Sequence, residues 1–195
     1  MTLSTTEAKT SYPATIAVAG RNDLYLRLVS IDDIPKYIKL VETNRHFLSR
    51  YQPWVRQFSA QNAQQRVAES LQKMEQGNWL QYRIIATQND AMVGTVTLYD
   101  KHVEDGKTVC FRGTWRAEDE AYKGFGTAAA IVMSEFAFSS WGIDCLRSEI
   151  EEGNLAAEAL AKASGMQLTA TISVKDADGE RTVARIWQAE KVHVL

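Results

Sequence analysis

From Asp23 onward the apolar and polar positions fall into periodic blocks. Leu24, Leu26 and Leu28 alternate with Tyr25, Arg27 and Val29, the two-residue period of a half-buried strand. Ser30, with Asp33 three residues on, makes a capping-box-like start, and Ile34, Tyr37, Ile38 and Val41 continue it at helical spacing. A second helical stretch, Asn44 to Tyr51, stops at Gln52-Pro53, because the residue before a proline is pushed out of the helical region. A third, from about Ser59 to Glu75, carries Val67, Leu71 and Met74 on one face and ends at Gly77.

Strand-like blocks follow. Trp79 to Ala86, a turn at Asn89-Asp90, Ala91 to Tyr99, a polar loop through Glu104-Asp105-Gly106, and Thr108 to Ala117 predict an antiparallel meander. The later half alternates: helix Gly126–Trp141, strand Ile143–Glu151, helix Asn154–Ser164, and a hairpin turning at Asp176–Gly179. Helices and strands in this order predict an α/β (α+β) fold, a mixed sheet with helices on its faces. Residues 1–20, rich in Thr, Ser and Ala without a period, read as a weakly ordered leader before a single domain over 21–195.

Composition narrows the classes. At 195 residues, with 45% apolar and 24% charged positions, the chain is an ordinary globular domain with room for a core. A net charge of −2 with interspersed signs offers no basic stripe for phosphate backbones, which argues against nucleic acid. No apolar stretch approaches the roughly 18 residues of a membrane span and Met1 to Gly20 is not a signal peptide, so the expectation is a cytoplasmic protein without a membrane partner. Cys110 and Cys145, far apart and without ligand spacing, predict neither a disulfide framework nor a metal site.

The most informative stretch is Tyr122-Lys123-Gly124-Phe125-Gly126-Thr127-Ala128, between a predicted strand and a predicted helix. Two glycines let a ligand approach the backbone, and the helix start offers free N–H groups and the positive dipole end to a pyrophosphate. The pattern is neither Walker A nor the dinucleotide fingerprint. Taken alone, it leaves a tight turn with packing glycines equally open.

Lys123-Gly-Phe-Gly-Thr-Ala128 resembles the acetyl-CoA motif of the GNAT superfamily, with Lys in its first place. Gly113-Thr114-Trp115 is similar to the family's fourth-strand Gly-Tyr-Trp, and Asn154 followed by Gly165-Met166 resembles Asn-x-x-Ser…Gly-Phe. Leu26-Arg27-Leu28, Asn44-Arg45 and Tyr51-Gln52-Pro53-Trp54 resemble landmarks of the RimJ/RimL-like branch, which acetylates ribosomal-protein N-termini. The resemblance implies a GNAT fold, a mostly antiparallel sheet of about seven strands with helices on both faces, and acetyl-CoA as cosubstrate without a metal. It implies Trp115, Arg116 and Ala117 as backbone partners of the pantetheine arm. It further implies Lys123, Gly124, Phe125, Gly126, Thr127 and Ala128 as the pyrophosphate loop, and Asn154 as a further contact. For Asn154 a plain N-cap needs no ligand and stays open. Tyr51 and Trp54 fall where the family builds its acceptor pocket.

The resemblance lapses at two places. Phe111 stands where several relatives carry a basic Glu, and Ala157 where Ser is expected. The catalytic group is therefore unassigned, with Tyr99, Asp100, His102, Glu149, Glu151 and Asp176 as polar candidates that also serve as surface or turn residues. The expected activity is acetyl transfer from acetyl-CoA to a primary amine, a protein N-terminus or a small molecule, by direct attack in a ternary complex. The alternative is a CoA-binding module that has lost catalysis. A homodimer remains open.

Overall fold

The computed structural model describes residues 12–175 and 181–191. These form eight strands: β1 Thr15–Ala17, β2 Leu24–Leu28, β3 Trp79–Ala86, β4 Ala91–Glu104, β5 Lys107–Arg116, β6 Cys145–Glu151, β7 Gln167–Lys175 and β8 Arg181–Glu190. The α-helices are α1 Ile34–Thr43, α2 Arg45–Leu48, α3 Ala60–Glu75, α4 Phe125–Ser139 and α5 Leu155–Ala163. One sheet holds the strands in the order β1-β2-β3-β4-β5-β6-β8-β7, antiparallel throughout except where β5 meets β6. The expected mixed, mostly antiparallel sheet is thus present, with eight strands instead of seven.

The extra strand comes from the stretch read as leader. Thr15–Ala17 pairs with Tyr25–Arg27, and Tyr82 Oη donates to the Pro13 carbonyl at 2.8 Å, so the segment from Tyr12 on joins the fold. Its three residues are too short for a period to show, and ladder hydrogen bonds, not pattern, hold them. The strand expected to end at Tyr99 runs on to Glu104. A bulge interrupts its register between Tyr99 and His102, with Asp100 at φ 55°, and Asp105-Gly106, at φ 50° and 79°, closes a two-residue hairpin. The turn expected at Asp176–Gly179 lies outside the described residues.

Side chains alternate between the two faces of the sheet. Arg83, Thr95 and Trp115 share one face across β3, β4 and β5, under α1 and α3, and the Arg83 guanidinium lies 4.7 Å from the Tyr37 ring. Leu80, Leu98 and Arg112 share the other, where Arg112 reaches Ala130 and Ser134 of α4. Leu26, Leu80, Ile84, Leu98, Ile143 and Leu146 are fully buried in one core, each worth about 1.5–3 kcal/mol relative to exposure. Gly94 is required where β4 meets β5, since a Cβ there would run into the Trp115 carbonyl.

Candidate active site

The one parallel pair in the sheet is short. β5 and β6 are in register only from Val109–Cys145 to Phe111–Arg147; beyond Phe111 they separate, and Gly113 to Arg116 pair with β4 alone. At the fork Ser148 Oγ donates to the Arg112 carbonyl at 3.0 Å, so the last group of the diverging edge keeps a partner. Two adjoining hollows fill the gap. One of about 230 Å³ is lined by Thr114, Trp115, Arg116, Gly124, Gly126 and Thr127, together with residues of α2 and α5. The other, about 120 Å³, lies deeper between Gly113 and Glu149. Tyr51, Gln52, Thr114, Asn154, Ala157 and Leu160 line both, making a continuous groove.

The start of α4 opens into this groove. Gly124 is its N-cap in the left-handed conformation, φ 81°, with no side-chain hydrogen bond to the first turn and no acidic residue there. A Cβ at Gly126 would find its nearest neighbours, Leu160, Arg116 and Thr114, at 3.7, 3.8 and 3.9 Å, ordinary contact distances, so the protein leaves that position room for a Cβ. The first N–H groups of a 15-residue helix, the dipole end, and Arg116 thereby face an open groove, which suits a pyrophosphate. Phe125 does not join the lining; it is buried beneath the Arg21 guanidinium, 5.1 Å from the ring centre. Lys123 is exposed and Ala128 half-buried, and neither lines the groove. Ala117 is outside it as well: its N–H donates to Val93 O at 2.7 Å and its carbonyl accepts from Arg116.

Phe47 and Leu48 of α2, with Tyr51 and Gln52 just after it, wall the groove, and Asn44-Arg45 holds this segment in place. Arg45 donates from Nη1 to Val55 O at 2.6 Å and from Nη2 to Phe58 O at 2.8 Å, holding the short 3₁₀ turn Pro53–Gln57. Asn44 Oδ1 accepts from Glu118 N–H at 3.0 Å, tying the helices to the loop that follows β5. Tyr51 reaches across to donate to Gly153 O at 3.3 Å. Trp54 lines none of the hollows. It is packed among Tyr37, Phe58 and Trp115 at ring distances of 6.3, 5.9 and 5.7 Å, with the Arg66 guanidinium over its ring.

The polar candidates separate. Glu149 and Glu151 line the deeper hollow. Tyr99 stacks on Phe111, and its ring edge is 3.5 Å from where a Gly113 Cβ would stand. Burial, then the charges of Glu149 and Asp100, push its phenol up to about 12, so it stays protonated. Asp100 and His102 lie away from the groove in a surface cluster. There His102 Nδ1 is 2.7 Å from Asp100 O and Arg147 bridges Glu104 at 2.7 Å, and this backbone contact holds the His102 pKa above its usual value. Asp176 is outside the described residues. Asn154 both lines the groove and caps α5, accepting from Ala157 N–H at 3.2 Å.

Sequence reasoning missed three contributors. Arg21 stands 3.7 Å from the position of a Gly124 Cβ and is held by Asp23 at 2.7 Å, yet it precedes the first predicted strand and belongs to no periodic block. Ser148 carries no local signal, since its role exists only where two strands part. Leu160 becomes part of the groove through the packing of α5. Among the described residues no cluster of His, Cys, Asp or Glu is arranged to hold a metal, and no helix is long and apolar enough to cross a membrane.

A parallel pair that splays beside a glycine-started, uncapped helix, with helical segments walling the opening, defines a CoA-dependent acyltransferase domain. Residues 23–167 match the acetyltransferase (GNAT) domain family, and the chain belongs to it. Similar folds among solved structures include the acetyltransferase from Salmonella typhimurium that modifies the N-terminal serine of ribosomal protein L7/L12. That protein shares 17% identity, with 90% of this chain and 98% of that one covered and a TM-score of 0.78. The microcin C7 self-immunity acetyltransferase MccE, in complex with acetyl-CoA and AMP, shares 14% identity with 87% and 93% covered, TM-score 0.78. RimJ of Mycobacterium smegmatis, in complex with CoA-disulfide, shares 16% identity with 86% and 81% covered, TM-score 0.77. No curated protein sequence matches the chain.

Proposed function

We propose that this chain transfers an acetyl group from acetyl-CoA to a primary amine by direct attack in a ternary complex. The observation that carries this reading is the groove itself, where the unpaired edge of β5 from Gly113 to Arg116 leads from the open start of α4 to the hollow beside Glu149. The cosubstrate supplies an activated thioester. Gly124, Gly126 and Thr127 hold the pyrophosphate through backbone N–H groups, with Arg116 and Arg21 as neighbouring cations. Trp115 and Arg116 offer main-chain groups to the pantetheine amides in place of a missing strand.

The acceptor amine enters beside Glu149, whose carboxylate attracts its ammonium form. As the amine nitrogen bonds to the carbonyl carbon and the C–S bond breaks, we assign to Tyr99, which is kept a phenol by burial, the donation of a proton to the departing thiolate, and the proton that leaves the nitrogen restores the phenol through solvent. No strong base is required for an α-amine acceptor. With a pKa near 8, about one molecule in ten is the free nucleophile at pH 7, a handicap of about 1.4 kcal/mol, which positioning more than offsets. The branch landmarks, with the likeness to an acetyltransferase that modifies an N-terminal serine and to the microcin C7 self-immunity acetyltransferase, support two acceptor classes, a protein N-terminus and a small amine.

The test is thiol release from acetyl-CoA with a panel of N-terminal peptides and small amines. Turnover on at least one acceptor is expected. Tight CoA binding with no turnover on any would instead make the chain a CoA-binding module.

A further inference from the structure

A third cleft, about 270 Å³ in volume, lies on the α1/α3 face, and none of the roles above uses it. Arg66 and Lys73 of α3 and Arg83 of β3 line it, against a single carboxylate, Glu69, which is exposed and held by Gln65 at 2.9 Å. Arg83 Nη1 donates to Thr95 Oγ1 at 3.1 Å, but three other donors there are unsatisfied. Arg83 is 2% exposed and its Nε makes no hydrogen bond; the carboxylate beside it, Asp33, stands at 3.6 Å and already accepts from Arg27 at 2.8 Å and from Ser30 N–H at 3.0 Å. Arg66 Nε is buried without a partner, its guanidinium 4.7 Å from the Trp54 ring. Trp79 Nε1 is orphaned too, beneath the Lys73 ammonium at 4.9 Å.

Each unpaired buried donor costs about 1–3 kcal/mol, and native folds seldom gather several. Three around one cavity, two of them on cations, mark a place where the acceptor is not part of the protein. Asp33 at 3.6 Å balances the Arg83 charge, whereas among the described residues no carboxylate pairs with Arg66 or Lys73; water satisfies donors but leaves that charge, and an oxyanion does both. We propose that this cleft is an oxyanion subsite for a carboxylate or phosphate group, with Arg66 and Arg83 as hydrogen-bonding cations and Lys73 as supporting charge.

The subsite lies two strands across the sheet from the groove. Gln81, on the cleft wall, donates to Thr97 Oγ1 at 3.0 Å, and Thr97 pairs with Gly113, which lines the deeper hollow. Two strand spacings, about 10 Å, separate the two. An acceptor carrying an acid group that far from its amine would occupy both places; this source of the anion rests on the acetyltransferase reading, whereas a free anion does not.

The experiment is a calorimetric titration with inorganic phosphate, CoA being saturating so that the α4 start is taken. Saturable binding is expected in the wild type, weakened about tenfold or more in Arg66→Gln and to a smaller extent in Lys73→Gln, whose exposed position spares the fold. In acetylation assays, phosphate competing with acid-bearing amines but not with neutral ones assigns the subsite to the acceptor. Binding without such competition assigns it to a free anion, and both outcomes support the site. Absence of saturable binding, or equal affinity in wild type and both variants, overturns it. CoA affinity measured on the same samples reports separately on the acetyltransferase reading.

Discussion

Helices α3 and α4 have nearly equal lengths, 16 and 15 residues, and begin in opposite ways. α3 opens with a complete capping box, Ser59 Oγ accepting from Asn62 N–H at 3.3 Å and Asn62 Oδ1 accepting from Ser59 N–H at 3.0 Å. α4 opens on a left-handed glycine with nothing to cap it. The first helix spends its end groups on the fold, while the second holds them for a ligand. α5 stands between, since Asn154 satisfies its own helix and lines the groove at once.

The contrast breaks most sharply at Gly126. In Gly126→Val the side chain fills space the protein leaves open, and CoA affinity should fall about a hundredfold or more through lost charge-assisted hydrogen bonds, with folding retained. A folded variant that binds CoA as the wild type does, by calorimetry, would remove α4 from the site.

The next effect concerns the hollow beside Glu149 and the reading that the acceptor amine itself loses the proton there. Log kcat/KM should rise with unit slope, about tenfold per pH unit, up to the acceptor's own pKa. Two acceptors about one unit apart in pKa should give displaced profiles, because it is the amine that loses the proton; coincident profiles would demonstrate a protein base.

Tyr99→Phe should lower kcat about tenfold to a hundredfold, within the usual range for a proton donor, and leave CoA affinity unchanged. A change under about twofold would return Tyr99 to the role of a packing residue against Phe111.

The smallest effect tests the other helix. Ser59→Ala should reduce unfolding stability by about 1 kcal/mol in a denaturant titration with no change in CoA affinity. Loss of binding there would erase the distinction between a structural and a ligand-directed helix start.

Local chemistry made the first of these sites legible and hid the second. Gly124 and Gly126 announce an open backbone because no other residue leaves that space, and they do so within three positions. Asn44-Arg45 was recognisable only by resemblance, and its work, holding the Pro53–Gln57 turn and the loop after β5, depends on residues far along the chain. Trp54 falls where the resemblance puts the acceptor pocket. The structure surrounds it with three rings and a guanidinium, an arrangement no local pattern reveals. Asp100 and His102 looked polar and available at a strand end, but the strand does not end there, and its bulge turns them into a surface cluster.

The sequence by itself determined the periodic elements, their order and the glycine-started helix, since strand alternation, caps and backbone freedom are properties of neighbouring residues. Tertiary structure alone decided where β5 and β6 part, which of the polar candidates reach the gap, and that Arg66, Lys73 and Arg83 surround one cavity. Those outcomes follow from sheet register and helix packing, in which residues tens of positions apart determine one another's burial, hydrogen-bond partners and charge.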